Sequence, residues 1–277
     1  MNKRVVLITG CSTGIGRALS EEFHQCGFRV VATGLSLESL SDLEAKGMSA
    51  HVLDVNNKDQ VRQVVETVLD QEKTIDVLVN NAGYGLMGPL IEIPENELIL
   101  QFQTNVFAKL FIAQKIAPIM KKQGNGLIIN IGSVSGITTT PFSGAYCASK
   151  AALHAFSDAL RMELSVFGIK VVTVQPGGIR TQFGASAMEI LSRVFKPGSW
   201  YQPIGDSIRS RAEASQLNAT PVDTFARKLV KAVTVDNPPA TIRIGQKSFL
   251  LPFLKKAVPT RVLDGIFKKK FGLNMME

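Results

Sequence analysis

Short apolar runs of strand length alternate along the chain with segments in which apolar residues recur every three to four positions. Seven such runs occupy residues 4–9, 28–33, 51–55, 75–79, 126–132, 169–175 and 240–245. Runs that are apolar throughout predict strands buried on both faces, as in a parallel sheet. Helices must then cover both faces. The pattern therefore predicts a three-layer α/β sandwich, a Rossmann-like doubly wound parallel sheet of seven strands.

The segments between these runs have helical spacing. Helices are predicted from Arg17 onward and over Lys58–Leu69, Glu95–Lys121 and Ser143–Phe167. Because no repeat, linker or change of composition divides the chain, we expect one domain over residues 1–277. Residues 183–220 place aromatic residues among glycines and prolines, which predicts an irregular segment: either a substrate lid or an ordered surface excursion.

The net charge of +8 is unevenly distributed. From Lys247 onward, seven lysines and arginines face two acids, a net charge of +5, so the rest of the chain is close to neutral. That balance gives no support to nucleic-acid binding. No run reaches the ~18 apolar residues of a membrane span, and Val5–Ile8 is too short for a signal peptide. The scattered cysteines and histidines match no metal or redox spacing, which predicts a reducing, cytoplasmic environment and no metal site.

Residues 246–277 form an extension that mixes bulky apolar residues with lysines. Such charge runs are most often solvated faces, and the extension would then pack onto the sheet edge with its lysines in water. The other interpretation is peripheral docking on an anionic membrane surface.

A glycine-rich turn joins the first predicted strand to the first helix. Its glycines, with the spacing G-x-x-x-G-x-G, permit a tight turn and the close approach of a phosphate to the helix N-terminus. We therefore expect a dinucleotide there, in contact with Gly10, Ser12, Thr13, Gly14, Ile15 and Gly16.

The end of the second strand bears on the choice of cofactor. A chain that binds NAD through the ribose 2′-hydroxyl usually carries an acid at this point, and positions 33–36 hold none. The usual arginine for a 2′-phosphate is missing as well. NADP(H) is therefore favoured only by elimination, and NAD(H) stays open. Thr33, Ser36 and Arg17 are candidate phosphate partners.

Other strand ends carry polar or glycine-rich segments. Asp54 and Val55 are placed to meet an adenine, although Asp54 equally suits a cap for the following helix. The segment Asn81, Ala82 and Gly83 suits either an ordinary turn or close approach to a cofactor ribose. Because the carboxyl ends of parallel strands meet at one edge, we expect these segments to share a crevice with Gly10, Ser133 and Pro176.

Tyr146 and Lys150 lie four residues apart on one predicted helix, and Ser133 ends the preceding strand. Residues at i and i+4 share a helix face, with Cβ atoms about 5–6 Å apart. A nearby cation lowers the pKa of a phenol from its usual ~10, and the serine hydroxyl is placed to bind the oxygen whose proton the phenol transfers. The set fits interconversion of an alcohol and a carbonyl. On the pair alone, a half-buried ring and a solvated lysine is the alternative.

Taken in order, these segments resemble the short-chain dehydrogenase/reductase family from residue 3 to 182. The matching motifs are TGCSTGIG at 9–16, LDV at 53–55, NNAG at 80–83, TNV at 104–106, GS at 132–133, YCASK at 146–150 and PGGIRT at 176–181.

The resemblance implies a catalytic tetrad of Asn105, Ser133, Tyr146 and Lys150. Tyr146 would be the general acid or base, Ser133 would polarise the carbonyl, and Lys150 would bind the nicotinamide ribose and lower the tyrosine pKa. Asn105 would hold a water that links Lys150 to solvent. Further residues implied to line the cofactor, beside Tyr146 and Lys150, are Asn81, Ala82, Gly83, Pro176, Gly177, Ile179 and Thr181. Family members often pair through the helices that hold Asn105 and Tyr146, which implies a homodimer or homotetramer.

Within the family, the sequence is similar to reductases of lipid-like ketones: acyl-dihydroxyacetone-phosphate reductases, hydroxysteroid dehydrogenases and retinol dehydrogenases. Leu35 departs from the arginine of many of these relatives. Phe142, with Ser133 and Tyr146, would border a hydrophobic substrate. We thus expect an NADP(H)-preferring oxidoreductase of hydrophobic ketones and secondary alcohols. The alternatives are a 3-oxoacyl-thioester reductase and a non-catalytic NADP sensor.

Overall fold

Strands and helices alternate through residues 3–276, the part of the chain that the computed structural model describes. The strands are β1 Val5–Ile8, β2 Arg29–Gly34, β3 Ser49–Val52, β4 Val77–Asn80, β5 Gly126–Ile131, β6 Ile169–Pro176, β7 Ile179–Arg180, β8 Thr220–Pro221 and β9 Thr241–Ile244. The helices are α1 Gly14–Gln25, α2 Ser41–Ala45, α3 Lys58–Glu72, α4 Glu95–Phe102, α5 Ala108–Gln123, α6 Gly144–Ser165, α7 Phe183–Val194, α8 Gly205–Glu213, α9 Val222–Val233, α10 Leu250–Ala257 and α11 Thr260–Lys270.

Seven of the strands form one sheet in the order β3-β2-β1-β4-β5-β6-β9, and every neighbouring pair is parallel. The predicted doubly wound sheet is confirmed. The chain moves outward from β1 to β3, then returns to pair β4 with β1 and continues the other way. Strand order therefore reverses between β1 and β4, and ligands of such sheets bind beyond the strand ends at this point.

Two apolar cores cover the two faces of the sheet. On one face α1 and α9 bury Phe23 and Phe225 against the strands. On the other face α3 and α5 bury Val68 and Ile116. Because the strands are covered on both sides, their side chains are apolar throughout rather than in alternation, which is the pattern that revealed them.

Three predicted boundaries need correction. The third strand spans Ser49–Val52 rather than 51–55, because it pairs with the last four residues of β2. The helix predicted over 95–121 is interrupted by a π-helical turn, Gln103–Phe107. The segment 183–220, expected to be irregular, forms α7 and α8, because apolar residues on these helices pack into a third core.

The C-terminal extension forms α10 and α11. The expectation that it packs onto the sheet edge needs correction, because its buried side chains lie elsewhere. Leu263 and Phe267 enter the third core, which also holds Phe142 and Tyr146. The extension therefore packs beside α7 and α8, over the carboxyl edge of the sheet. Within residues 3–276 no helix combines the length and apolar character that spanning a bilayer requires.

The core on the α1–α9 face should contribute strongly to stability. Phe225 is fully buried, whereas Phe249 is 67% exposed. We expect Phe225→Ala to lower the free energy of unfolding by about 3–5 kcal/mol, because it leaves a cavity among packed side chains. The matched variant Phe249→Ala should change it by less than about 0.5 kcal/mol. Urea denaturation followed by circular dichroism measures both; similar losses in the two variants would contradict the assignment of this core.

Candidate active site

The glycine turn after β1 is packed so closely that side chains do not fit. Gly10 and Gly14 have φ values of +72° and +59°, in the left-handed region that favours glycine. A Cβ on Gly10 would lie 2.9 Å from the Cα of Ala82, and one on Gly16 would collide with the carbonyl oxygen of Gly10. Glycine is therefore required at these positions of the turn.

The N-terminus of α1 opens from this turn. Among the described residues no side chain caps the helix, and its first turn contains no acid. Free N–H groups and the positive end of the helix dipole therefore remain for an anion. A glycine cradle beside an uncapped helix start fits the pyrophosphate of a dinucleotide. Of the other predicted contacts, the Ser12 hydroxyl meets that of Ser39 at 2.8 Å, and Ile15 packs against the core.

The loop after β4 is tied directly to the glycine turn. The side-chain amide of Asn81 donates to the carbonyls of Thr9 and Gly10, both at 2.9 Å. The Thr9 hydroxyl accepts the N–H groups of Asn81 and Ala82 at 3.0 and 3.1 Å. Here Asn81 holds the β1 and β4 loops together, and Gly83 follows against the side-chain oxygen of Asn105.

The segment after β6 forms the opposite wall. Gly177 donates from its N–H to the Ile244 carbonyl at 3.0 Å, which continues the pairing of β6 with β9 beyond Pro176. Ile179 is buried, and a Cβ on Gly14 would lie 3.4 Å from the side chain of Thr181. The predicted residues of both walls are therefore brought together around the glycine turn.

At the far end of β2 the structure removes one of the three predicted phosphate partners, Thr33, from the crevice. Thr33 is fully buried and its hydroxyl donates to the Ile8 carbonyl at 3.1 Å, so its side chain does not reach the crevice. A strand alternates its side chains between faces, and Thr33 points inward. Ser36 is exposed, and Arg17 donates to the carbonyls of Ser12 and Ser39 and pairs with Asp42.

Asp54 lies just beyond β3, and its carboxylate accepts the Asn56 N–H at 2.9 Å. The helix cap that was its alternative role belongs to Asn57, which accepts the N–H groups of Asp59 and Gln60. Val55 packs into the core on the α3–α5 face.

Tyr146 and Lys150 share one face of α6. The lysine nitrogen lies 5.7 Å from the centre of the phenol ring, and both side chains are buried. The Lys150 ammonium donates to the Ile131 carbonyl at 2.8 Å, which fixes it at the end of β5. The alternative of a solvated lysine is therefore excluded.

The expected lowering of the tyrosine pKa by Lys150 is not what the structure shows. Burial raises the pKa of Tyr146 to about 12, opposed by the neighbouring Ser133 hydroxyl and by the charge of Arg211. Burial lowers the pKa of Lys150 to about 8. Desolvation disfavours the charged form of each group, and it is the largest cause of both shifts.

Ser133 follows β5, and its backbone contacts the side chain of His154. Its N–H points to the imidazole Nε2 at 3.4 Å, and its hydroxyl oxygen accepts the Ser135 N–H at 3.1 Å. Burial and the charge of Lys150 lower the pKa of His154 to about 4, so the ring is neutral and Nε2 can accept. The histidine supports the backbone that carries the serine.

Asn105 lies in the π-helical turn, a feature that often marks functional sites. Its amide nitrogen donates to the Tyr84 carbonyl at 3.0 Å and to the Ser149 hydroxyl at 3.1 Å, and its oxygen accepts the Tyr84 N–H at 3.1 Å. The side chain thus connects the helix to the β4 loop and to α6. Ser149 was not predicted; its hydroxyl also donates to the Tyr146 carbonyl.

Lys109 is a buried residue of the site that sequence reasoning missed. Its ammonium donates to the Asn80 carbonyl at 2.9 Å and reaches the Ile131 carbonyl, which also binds Lys150, at 3.4 Å. Burial and the charge of Lys150 keep the pKa of Lys109 well below its usual value. A signal was present: Lys109 follows Asn105 by four residues, one helical turn.

Arg211 on α8 is a second residue that was missed. Its guanidinium donates to the hydroxyls of Thr140 and Ser143, both at 2.9 Å. Within residues 3–276 no carboxylate forms an ion pair with it, although it is buried. Its distance along the chain from α6 left no sequence signal.

Aromatic side chains surround the phenol. The ring of Tyr146 lies 5.5 Å from that of Phe183, and Phe142 lies 5.6 Å from Tyr201. Phe142 has a φ of +62°, unusual for a bulky residue. This side of the site is therefore apolar.

Comparison with known proteins agrees with this arrangement. A family described as short chain dehydrogenase matches residues 4–190. The chain is 30% identical over 275 residues to the NADPH-dependent 3-dehydrocapnine reductase of Ornithobacterium rhinotracheale, covering 96% of each chain. It is 37% identical over 183 residues, 66% of each chain, to the 3-ketodihydrosphingosine reductase of Bacteroides thetaiotaomicron. Its structure is similar to that of a short-chain dehydrogenase from Streptomyces avermitilis, with a TM-score of 0.79, 28% identity, and coverage of 99% of this chain and 97% of that one.

The two buried lysines should make stability rise with pH. An unfolded lysine keeps its proton up to a pKa of ~10.4, whereas the pKa of Lys150 is about 8 when folded and that of Lys109 is also lowered. Between pH ~8 and ~10 the unfolded chain binds more protons, so each lysine adds up to ~1.4 kcal/mol per pH unit to the free energy of unfolding.

We expect Lys109→Met to reduce this slope in urea denaturation of the ligand-free protein across that range. Lys122→Met, which removes an exposed lysine from the same helix, should leave it unchanged. An equal slope in wild type and Lys109→Met would contradict the burial of a titrating group at position 109.

Proposed function

Because the chain belongs to the short-chain dehydrogenase/reductase family, we propose that this oxidoreductase prefers NADP(H) and interconverts a hydrophobic ketone and its secondary alcohol. The observation that carries the proposal is the buried pair of Tyr146 and Lys150 on one helix face, beside Ser133 and the glycine cradle. The apolar rings around the phenol favour a hydrophobic substrate. The names of the two similar reductases, both of ketone substrates, point the same way.

When bound, the nicotinamide supplies hydride to the ketone carbon or accepts it from the alcohol. Tyr146 donates its phenol proton to the carbonyl oxygen during reduction and takes it back during oxidation. Ser133, whose hydroxyl is near enough to the phenol to lower its pKa, orients that oxygen. A phenol whose pKa is about 12 holds its proton at neutral pH, so the apo site is set for proton donation. The positive charges of Lys150 and Arg211 then favour the phenolate that forms.

Lys150 has a second role in this proposal. Its bond to the Ile131 carbonyl uses one of three donors. The remaining donors are available for the hydroxyls of the nicotinamide ribose. Lys109, itself held by the Asn80 carbonyl, reaches the same Ile131 carbonyl from α5, so Lys150 has little freedom to leave the phenol.

The preference for NADP(H) rests on the end of β2 and on Arg17. Positions 33–36 hold no acid that would repel a 2′-phosphate. The Arg17 guanidinium, at the start of α1, is held at this edge by the carbonyls of Ser12 and Ser39 and by Asp42. We infer that Arg17 and Ser36 bind the 2′-phosphate, with Thr33 confined to the sheet. The similar 3-dehydrocapnine reductase is named as NADPH-dependent.

Helices α7 and α8 and their connection form the lid of the substrate region in this proposal. Glu92 holds the connection in place: its carboxylate accepts the Ser199 hydroxyl at 2.6 Å and the Trp200 N–H at 2.8 Å. Phe183 and Tyr201 extend from this segment toward Tyr146 and Phe142. Release of the Glu92 contacts would free the segment to admit substrate.

Homo-oligomer formation through the helices that hold Asn105 and Tyr146 is part of the same proposal. The outer surfaces of α4, the π-helical turn and α6 expose the large apolar side chains Ile99, Phe107 and Met162. A partner copy would remove these side chains from water.

Removal of the phenol hydroxyl tests the chemical step. We expect Tyr146→Phe to lower kcat by about 10²–10⁴-fold, because no group then supplies the proton. NADPH binding, followed by fluorescence titration, should stay within about threefold. Turnover is measured spectrophotometrically with NADPH against steroid, retinoid and long-chain acyl ketones, with an acyl-carrier thioester as the competing substrate. Unchanged turnover in the variant would remove Tyr146 as the acid.

Substitution of Arg17 tests cofactor choice. Arg17→Gln should raise KM for NADPH by about tenfold or more, since a charge-assisted contact to phosphate is lost, and leave KM for NADH nearly unchanged. Arg62→Gln, at an exposed arginine of α3 that also pairs with an aspartate, is the matched control and should alter neither. Equal effects of Arg17→Gln on the two cofactors would refute its role at the 2′-phosphate.

A further inference from the structure

The C-terminal extension presents an apolar outer surface that the catalytic site does not use. We call this outer surface the docking surface; its residues, each 49–67% exposed, are Phe249, Leu250, Phe253, Val262 and Ile266. Every residue of α10 is exposed or half-buried. Phe249 and Phe253 share a face, as do Val262 and Ile266, since each pair is separated by four residues.

Helices α10 and α11 pack against the same core. Leu254 of α10 and Leu263 and Phe267 of α11 enter the same third core. Helices α10 and α11 also contact each other directly, so their outer faces adjoin. Exposed apolar residues scattered singly need no explanation, but a patch of this kind marks a contact with a partner or a membrane.

Lysines border the docking surface. Lys255 and Lys256 end α10, and Lys269 and Lys270 end α11, all of them exposed. Within residues 3–276, Lys255 and Lys256 form no ion pair with a carboxylate. From Lys247 onward the sequence has a net charge of +5. The surface thus combines bulky apolar groups with a border of positive charge.

A cavity near this surface is also lined by lysines. It has a volume of about 330 Å³, and Ser207, Ser210, Lys247 and Lys270 are among its lining residues. Burial and the nearby charges of Lys247 and Arg211 lower the pKa of Lys270. The acid that also faces the cavity, Asp206, is paired with Arg209. Two cations and two hydroxyls around one cavity suit a phosphate group.

We propose that the C-terminal extension docks on a phospholipid bilayer that contains anionic lipids. Phe249, Leu250 and Phe253 enter the boundary between headgroups and acyl chains, and the bordering lysines contact phosphates. A second copy is a poorer occupant, because it would bring together two extensions whose sequences each have a net charge of +5 from Lys247 onward. An anionic bilayer neutralises that charge and covers the apolar side chains at once.

The docking surface is connected to the substrate region. The Thr138 hydroxyl, in the loop after Ser133, donates to the Leu251 carbonyl of α10 at 2.8 Å. Leu254 and Val258 pack in the same core as Phe142 and Tyr146. The helix that meets the bilayer on its outer side thus covers the substrate region on its inner side. Resting on the function proposed above, we infer that the substrate is a ketone dissolved in the bilayer.

The test is sedimentation of the full-length protein with vesicles of phosphatidylcholine alone or with added phosphatidylserine. We expect binding to the anionic vesicles only. Phe249→Ser/Phe253→Ser and Lys255→Glu/Lys256→Glu should each lower the partition coefficient by about tenfold or more. Because these side chains are exposed, the variants should unfold at the same temperature as wild type.

Two control variants make the same chemical changes elsewhere. Val166→Ser/Val235→Ser alters exposed valines that precede β6 and β9, at the amino ends of the strands. Lys228→Glu/Lys231→Glu alters exposed lysines of α9. Both should bind vesicles as wild type does. Tyr146→Phe should also bind normally, so a failure of the catalytic proposal would not affect this result.

Three outcomes would overturn the proposal. If the wild-type protein does not sediment with anionic vesicles, the extension does not bind membranes. Equal losses in the α9 charge variant and the α10 charge variant would show attraction by net charge alone. Finally, light scattering could show that Phe249→Ser/Phe253→Ser dissociates an oligomer while vesicle binding is unchanged, and the surface would then belong to a second copy.

Discussion

The carbonyl oxygen of Ile131, at the end of β5, is the acceptor on which the site depends. Lys150 donates to it from α6 and Lys109 reaches it from α5, so two helices are attached to one strand end by buried cations. That attachment sets the distance between the Lys150 ammonium and the Tyr146 ring. Lys109 also binds the Asn80 carbonyl of β4, so the central strands, the two helices and the catalytic pair form one connected unit.

Within residues 3–276, no acid pairs with the buried cations of this unit. Lys109, Lys150 and Arg211 are buried, and their partners there are carbonyls, hydroxyls and, for Lys150 and Arg211, aromatic rings. Burying cations without counter-ions costs free energy, which the protein limits by lowering the pKa of each lysine. The same deficit of negative charge favours whatever anion enters, whether a cofactor phosphate or the phenolate formed at Tyr146. Stability and ligand affinity are therefore opposed here.

The sheet and its glycine-rich strand ends could be predicted, because continuous apolar runs and glycines each have few structural explanations. Thr33 could not, since the sequence does not show which face of a strand a polar residue occupies. Lys109 and Arg211 were missed because a basic residue on a helix is most often solvated, and only the packed structure shows them buried. The helices of 183–220 were missed because glycine and proline at 198 and 197 obscured the apolar spacing on either side.

The π-helical turn at Gln103–Phe107 has a consequence for how this helix is phased. Its Ala108 N–H bonds to the Gln103 carbonyl, five residues back, so one extra residue is accommodated relative to an α-helix. Each α-helical residue advances the chain by 100° of rotation. Deleting a single residue of this turn would let the hydrogen-bond ladder become regular while α5 keeps nearly its present rotation, so Lys109 would still face the strand end and Ile112 and Ile116 the core. Deleting a residue within α5 itself would instead turn the rest of that helix by about 100°. A change in length is therefore tolerated far better in the π-helical turn than in the helix that follows it.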